Sequence, residues 1–533
     1  MAAQLVAHRL ALRGGRGLVA AFAVLYLVLG VLGYAATRDY RFAHALTDFG
    51  LLYLIFFSAA AATRIAAPLG RALLALLVIA LTAVAVVQAV HMQTFGFAIG
   101  AAGYRAILQS SAAEALEFVS HFLGAGSIAA VAAGLALVVG AALAVPAARA
   151  SGRALLVGGA CAAAAFPILG ENGHVVLTRL QGFGEAVEYA DELMEYRALL
   201  RARRSAPSDI AVEQEGPLAG QTQTYVFIIG ESLTRNHMSL YGYWRQTTPA
   251  LERLSAEMAV FTDVVSPHSH TEQSLELVLT LANQSNGLRF TDASNYSLIE
   301  MLRAAGFATW WISNQNAFGP WDNKTAVLAS GAERVHFTGT RSGRFVTGPL
   351  DEALLEPFSA ALQDPAPRKA IFLHFLGNHW DYAKRYPSQA AAFRGLPTPR
   401  EIGAGRGRHP RMRQIDEYDN AVLYHDQLAA RIVEMLRASG SAAALALFAD
   451  HGENVYEFKA HYWKQFTRDH VEVPLVLWFS PEYARLAGEV IERARAAASL
   501  PFALEDLPHL VADIAGLRSA PLQRERSPLS PAY

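Results

Sequence analysis

A chain of 533 residues is longer than one hydrophobic core usually organises, so at least two folding units are expected. Its 45 basic and 46 acidic side chains nearly cancel, which excludes a bulk nucleic-acid role, because neutralising phosphates needs a basic face. The single cysteine, Cys161, excludes a disulfide framework and leaves only oxygen and imidazole groups as metal ligands.

Apolar residues crowd the first 170 positions, whereas after residue 185 the sequence has the composition of a water-soluble domain. Five stretches, near 17–37, 45–63, 72–91, 124–147 and 154–170, approach or reach the roughly 20 helical residues needed to cross a bilayer core. The second and fifth are short, and Pro167 interrupts the fifth. Arginines precede the first stretch as in a secretory signal, but its apolar region is too long and further spans follow. With the N-terminus inside, Arg9, Arg13, Arg16, Arg64, Arg71, Arg149 and Arg153 are cytoplasmic, against Arg38, Arg41 and Arg105 outside. That asymmetry obeys the positive-inside rule, and an odd number of spans then puts everything after residue 170 on the outer side.

Between the third and fourth spans, residues 92–123 form a long loop. Within it Ile107, Leu108, Leu116 and Phe118 alternate with Gln109, Ser110, Glu114 and Glu117, the pattern of an amphipathic helix at a membrane surface. This stretch is either a connector or a substrate contact. Residues 185–204 are strongly helical, with acids early and bases late as the helix dipole favours. Ser205 to Gln223 then reads as a linker rich in Pro, Gly, Ser and Gln.

From Tyr225 on, strand candidates (Val226–Ile229, Ala308–Ile312, Ala370–Leu376, Ala444–Phe448 and Val473–Phe479) alternate with helical patterns that include 272–283, 296–304 and 418–437. The alternation predicts an α/β domain whose mostly parallel sheet lies between helices. Arg400 to Arg413 is a basic loop, and the residues from Arg518 read as a polar tail.

Glu231 closes the apolar run that starts at Tyr225, and Asp450-His451 closes the one that starts at Leu445. If the two runs are neighbouring strands, their carboxyl ends bring the three side chains to one metal beside Thr271. A zinc ion held by Glu231, Asp450 and His451 leaves its fourth position for the Thr271 hydroxyl, which needs such activation to become a nucleophile. The helical pattern after Thr271 adds a helix start that favours a phosphate. Taken singly, the same residues have plain explanations: a strand-to-loop turn at Asp450-His451-Gly452, helix caps at Glu231 and Thr271. His379, just beyond a strand, and His461, ten positions after His451, are further candidates to bind phosphate, hold a second zinc or protonate a leaving alcohol. His374 is expected to point into the fold, while His268, His270 and His470 are unassigned.

Val226-Phe-Ile-Ile-Gly-Glu-Ser, Met238-Ser-Leu-Tyr-Gly-Tyr-Trp-Arg-Gln-Thr-Thr-Pro, Thr271, Trp311-Ile-Ser-Asn-Gln, Leu373-His-Phe-Leu-Gly-Asn-His, Tyr418-Asp-Asn-Ala-Val, Ala449-Asp-His-Gly-Glu and Val473-Pro-Leu-Val-Leu-Trp-Phe-Ser together resemble the membrane-bound phosphoethanolamine transferases of Gram-negative bacteria. The resemblance covers nearly the whole chain. It implies a five-helix transmembrane domain over 1–184, an amphipathic helix and linker over 185–221, and a periplasmic domain of the sulfatase and alkaline-phosphatase fold over 222–533, anchored in the inner membrane. It further implies zinc ligation by Glu231, Thr271, Asp450 and His451, with Thr271 taking phosphoethanolamine from phosphatidylethanolamine for transfer to lipopolysaccharide. His379 and His461 match the family's substrate-side histidines, and Ser110 and Glu114 its lipid-contacting loop, the last match being poor in detail. Relatives that modify lipid A commonly carry disulfides here, and this domain has no cysteine; the resemblance is nearer the branch acting on core sugars. The alternatives are a phosphoglycerol transferase, a phosphatase or sulfatase of the same superfamily, or a membrane receptor or assembly protein with an inactive domain.

Overall fold

The structure, a computed structural model, describes residues 191, 193–201, 210–315, 324–338, 349–395, 411–457 and 466–533, with single positions at 23, 76, 79, 132, 136 and 403. Two compact units are distinguished, Met1–Tyr189 and Ala190–Tyr533. Apart from the single positions 23, 76, 79, 132 and 136, the five expected spans, with Ser110 and Glu114, lie outside the described residues, as does His461 in the second unit. No helix among the described residues is long and apolar enough to cross a membrane.

The second unit is built on seven strands: β1 (Gln223–Gly230), β2 (Met258–Phe261), β3 (Ala308–Ser313), β4 (Arg334–Phe337), β5 (Arg368–His374), β6 (Ala442–Ala449) and β7 (Leu475–Phe479). Their order across the sheet is β2-β7-β6-β1-β5-β3-β4. The five strands from β6 to β4 run parallel, while β7 is antiparallel to both β6 and β2, so the sheet is mixed. β1 and β6 are buried along their whole length, which explains why they read as continuous apolar runs with no alternation. Aromatic side chains in register cross three strands: Phe227 stacks on Phe372 with ring centres 4.5 Å apart, and Trp311 stacks on Phe372 at 5.8 Å. Each such ring, fully buried, contributes on the order of 2–3 kcal/mol by removal from water.

The helices that matter for the site are α1 (Thr271–Val278), α2 (Leu298–Ala304) and the 27-residue α3 (Met412–Ala438). α2 starts at a reciprocal capping box between Ser297 and Glu300. α1 ends at Val278, short of the 272–283 expectation, because the chain leaves it to pair with the approach to α2: Leu281 N–H donates to Tyr296 O at 3.1 Å and Leu298 N–H to Leu279 O at 2.8 Å. α3 begins at Met412, six residues earlier than its apolar pattern suggests.

Two other expectations are corrected. Inside the expected linker, Glu213–Gln214 pairs antiparallel with Leu517–Arg518, joining the start of the domain to its end. The expected tail is packed: Leu529 is buried, and Arg526 meets Asp506 at 2.5 Å. The edge strands β2 and β4 have no counterpart among the strands expected from sequence. β2 is only four residues long, and β4 is exposed on most of its length and lacks an apolar run.

Candidate metal centre

The site follows from strand register. β1 and β6 pair in parallel with Gly230 opposite Ala449, so the next residue on each, Glu231 and Asp450, emerge side by side at the carboxyl edge. Asp450 N–H donates to Gly230 O at 3.0 Å, carrying the pairing one step further. On the other flank, the loop after β5 grips the same turn: Phe375 N–H donates to Ile229 O and Asn378 N–H to Glu231 O, both at 3.0 Å. Gly377 lies in this loop at φ 44°, and a Cβ there would come within 3.2 Å of Glu231 N, so close approach and backbone angle both favour glycine.

Glu231, Asp450 and His451 each offer a ligand atom, and these atoms all lie within 4.8 Å of one another. All three side chains are fully buried. Thr271 opens α1, and its hydroxyl is 3.3 and 3.2 Å from the two Glu231 oxygens and 3.4 Å from His451 Nε2. α1 is fixed against the Asp450 loop by Ser266 and Ser274, whose hydroxyls each donate to Asp450 O at 2.5 Å. The N–H groups of the first turn of α1 have no intrahelical partner, which makes the edge beside Thr271 favourable for an anion.

The cluster suits a divalent cation. Asp450 Oδ1 accepts from Ser232 N at 3.0 Å and from His451 N at 2.6 Å, while Asp450 Oδ2 is buried with no hydrogen-bond partner among the described residues. His451 Nδ1 lies 2.8 Å from Gly452 O, an acceptor, so Nδ1 carries the proton and Nε2 is the atom turned to the acids. That nitrogen lies between the two carboxylates: Nε2 is 3.4 Å from Glu231 Oε1 and 3.6 Å from Asp450 Oδ2. Burial acts to lower the His451 pKa, but Asp450 and Glu231 outweigh it and raise it to about 10. Burial, and then the Glu231 charge, push the Asp450 carboxyl up to about 8. Burial also acts to raise Glu231, yet its bond to His451 and the histidine charges hold it well below the ordinary carboxylate value. Two buried acids with one imidazole between them are an anionic pocket of oxygen and nitrogen donors, the donor set expected of zinc.

The other predicted residues fall into place unevenly. His379 is half-buried, and its charge acts on Glu231, which brings it to the same edge. His374 is buried beneath the site, with Nδ1 3.4 Å from Ser313 Oγ, and burial lowers its pKa to about 4. His470 braces the loop after His451: its carbonyl accepts from Gly452 N at 2.9 Å. His268 and His270 lie with ring centres 5.3 Å apart, and burial, then the His451 charge, lower His268.

Two residues of the site were not singled out from sequence. Gln315 donates to Glu231 Oε2 at 2.7 Å; it follows β3, whose Ser313 is in register with His374, and so occupies a strand-end position like that of Glu231. Asp351 accepts from Leu376 N at 2.9 Å, Gly377 N at 2.8 Å and Asn314 Nδ2 at 2.8 Å, holding the loop that grips Glu231. Gln315 closes the quoted Trp311 motif, but Asp351 has no local sequence signal.

Comparison with known proteins supplies independent relations. The profile of the Sulfatase family matches residues 223–517, more than half of the chain. Phosphoethanolamine transferase EptC of Escherichia coli strain K12 is 30% identical over 364 residues, covering 65% of this chain and 59% of that protein. The chain thus spans less than two thirds of that relative. The C-terminal periplasmic domain of EptC from Escherichia coli, solved in complex with Zn, superposes with a TM-score of 0.56 at 29% identity, over 62% of this chain and 91% of that one. The integral membrane lipooligosaccharide phosphoethanolamine transferase A of Neisseria meningitidis superposes with a TM-score of 0.69 over 96% of this chain and 98% of that one; at 22% identity this is a likeness of fold alone.

Proposed function

The chain belongs to the sulfatase family, and on that premise we propose that it is a zinc-dependent transferase that moves phosphoethanolamine from phosphatidylethanolamine to lipopolysaccharide, with a core sugar as the favoured acceptor. The observation that carries the reading is the half-buried Thr271 hydroxyl within 3.4 Å of both Glu231 and His451, at the lip of an otherwise buried acid-imidazole pocket. The names of its relatives and the zinc found with one of them support the same choice of group and metal.

Glu231, Asp450 and His451 would hold the zinc, which would supply positive charge to a phosphodiester and lower the cost of ionising a hydroxyl. The protein's own part is placement. Thr271 Oγ1 attacks phosphorus, the bond from phosphorus to the diacylglycerol oxygen breaks, and that oxygen leaves with a proton. An acceptor hydroxyl then attacks the same phosphorus, loses its proton, and frees Thr271. In-line displacement mainly requires positioning and charge neutralisation. The hydrogen bonds from Thr271 to Glu231 turn its proton away from the incoming phosphorus, and the start of α1 faces the phosphate oxygens. His379, with His461, binds the phosphate, exchanges protons with leaving and entering oxygens, or holds a second zinc. The proposed setting is a five-span anchor in the inner membrane with Ser110 and Glu114 near the lipid donor and the catalytic domain in the periplasm.

Mass spectrometry of core oligosaccharide and lipid A, from cells with and without the protein, tests this directly. A phosphoethanolamine increment on the core is expected, absent in Thr271→Ala together with the phosphoethanolamine adduct on the protein. No increment on either fraction, or wild-type transfer by Thr271→Ala, would overturn it.

A further inference from the structure

We propose that Tyr418, whose hydroxyl bonds the backbone of Ser232 and Thr234, is a positioning residue that sets zinc affinity by holding the turn at Ser232. The inference rests on the metal site proposed for Glu231, Asp450 and His451 and extends it to a residue one shell further out.

Ser232 follows Glu231 and has φ 54°, in the left-handed region that side chains other than glycine rarely occupy. In this conformation it meets both acids at once. Its N–H donates to Asp450 Oδ1 at 3.0 Å, and its hydroxyl donates to Glu231 Oε1 at 2.9 Å. A serine does not hold such an angle unaided. The phenol of Tyr418 supplies the restraint: it donates to Ser232 O at 2.7 Å and accepts from Thr234 N at 3.0 Å, closing the turn from its inner side.

The phenol is itself fixed. Tyr418 is fully buried on α3, edge-on to Tyr382 with ring centres 5.0 Å apart and to His237 at 4.9 Å. The next residue, Asp419, anchors that part of the helix: it meets His237 Nδ1 at 2.7 Å and accepts from Tyr243 OH and Arg245 Nη1 at 2.9 Å. Tyr418→Phe therefore removes two hydrogen bonds from the turn and leaves the ring where it is. The turn then relaxes toward ordinary angles, and the two acids lose their common donor. Outer partners of metal ligands typically change metal affinity by about 10–100-fold when removed.

The test is the zinc dissociation constant of the full-length protein, measured by chelator competition, beside the melting temperature of the metal-free form. Tyr483→Phe is the control, because it removes a buried phenol bond of 2.7 Å to Ile514 O, and it follows Phe479, which pairs with Ala444 toward the opposite end of β6 from Asp450. Tyr418→Phe is expected to raise the constant about tenfold or more, whereas Tyr483→Phe lowers the metal-free melting temperature and leaves the constant within about twofold. Ser232→Ala keeps every backbone contact and is expected to weaken zinc as well, with less than additive loss in the double variant, since both act through one turn. Wild-type affinity in either Tyr418→Phe or Ser232→Ala overturns the inference; should Tyr418→Phe fail to fold, Ser232→Ala decides it. Failure of the wild-type protein to bind zinc overturns the metal site, and the inference with it.

Discussion

Asp450→Asn separates the fold of the site from its charge. The asparagine Oδ1 still accepts from Ser232 N and His451 N, so the turn keeps its bonds. The atom that changes is Oδ2, the one without a hydrogen-bond partner among the described residues, which becomes an amide donor and can no longer ligate a cation. Without zinc, neutralising Asp450 relieves its burial and its repulsion from Glu231 but gives up its attraction for His451, and these effects offset one another. With zinc the loss is one-sided. Free zinc at 100 times the dissociation constant stabilises a folded protein by about 2.7 kcal/mol. For the unit Ala190–Tyr533, an unfolding entropy of about 2.1 cal/mol/K per residue amounts to roughly 0.7 kcal/mol/K, so zinc should raise the wild-type melting temperature by about 4 °C. A variant that binds about 100-fold more weakly gains only about 0.4 kcal/mol at the same zinc concentration, or less than about 1 °C. Thermal melts of chelator-treated protein, with and without added zinc, measure both quantities. A zinc-induced rise of about 4 °C retained by Asp450→Asn would refute the ligand assignment.

The pH dependence of the metal-free protein follows from the same residues. A carboxyl held near 8 when folded and near its ordinary value when unfolded keeps a proton that the unfolded chain releases, so the contribution of Asp450 falls as pH rises between about 4 and 8. His451 is held near 10, so its stabilisation is full below about 6.5 and is lost as pH rises through 10. Glu231, held low, is ionised in both states above about pH 6 and adds no slope there. The metal-free melting temperature should therefore fall from pH 6 to 9, while the zinc-induced rise grows as ligand protons become easier to displace; a metal-free melting temperature that rises over this interval contradicts the site electrostatics. Gly452→Ala should destabilise the fold by about 2 kcal/mol or more, because its Cβ would collide with the Asp469 carbonyl oxygen, and backbone cannot yield as a flexible side chain does. A melt within about 1 °C of wild type would show that the loop is looser than it looks.

The central strands were legible because burial on both faces leaves nothing but apolar residues between Tyr225 and Ile229 or between Ala442 and Phe448. The clustering of Glu231 and Asp450 was legible for a related reason: an acid that ends such a run stands out against it. Gln315 and Asp351 carry no such contrast, since their roles depend on which loops meet after the sheet has formed. Tyr418 opens a quoted motif, yet it is one of two tyrosines on a 27-residue helix, and the purpose that separates it from the other resides in where its hydroxyl reaches. The edge strands were lost because β4 faces solvent along most of its length, and nothing local separates Arg334-Val-His-Phe from a loop.

Strand register explains why residues 219 positions apart in sequence can form one centre, as Glu231 and Asp450 do. Their meeting does not depend on any property of the intervening chain except that β1 and β6 pair with Gly230 opposite Ala449. A slip of one residue would turn every side chain of either strand to the opposite face. Both faces of both strands are buried and largely apolar, so the offset of the two acids beyond their ends is held by the close packing of particular shapes, such as Phe227 on Phe372, and not by apolar content. What stays adjustable is the turn that follows, where Ser232 at φ 54° aims both carboxylates and Gly377 lets the neighbouring loop close on Glu231. Rigid register and a strained but restrained turn thus act in succession, the sheet bringing the acids together and the turn deciding how well they hold a cation.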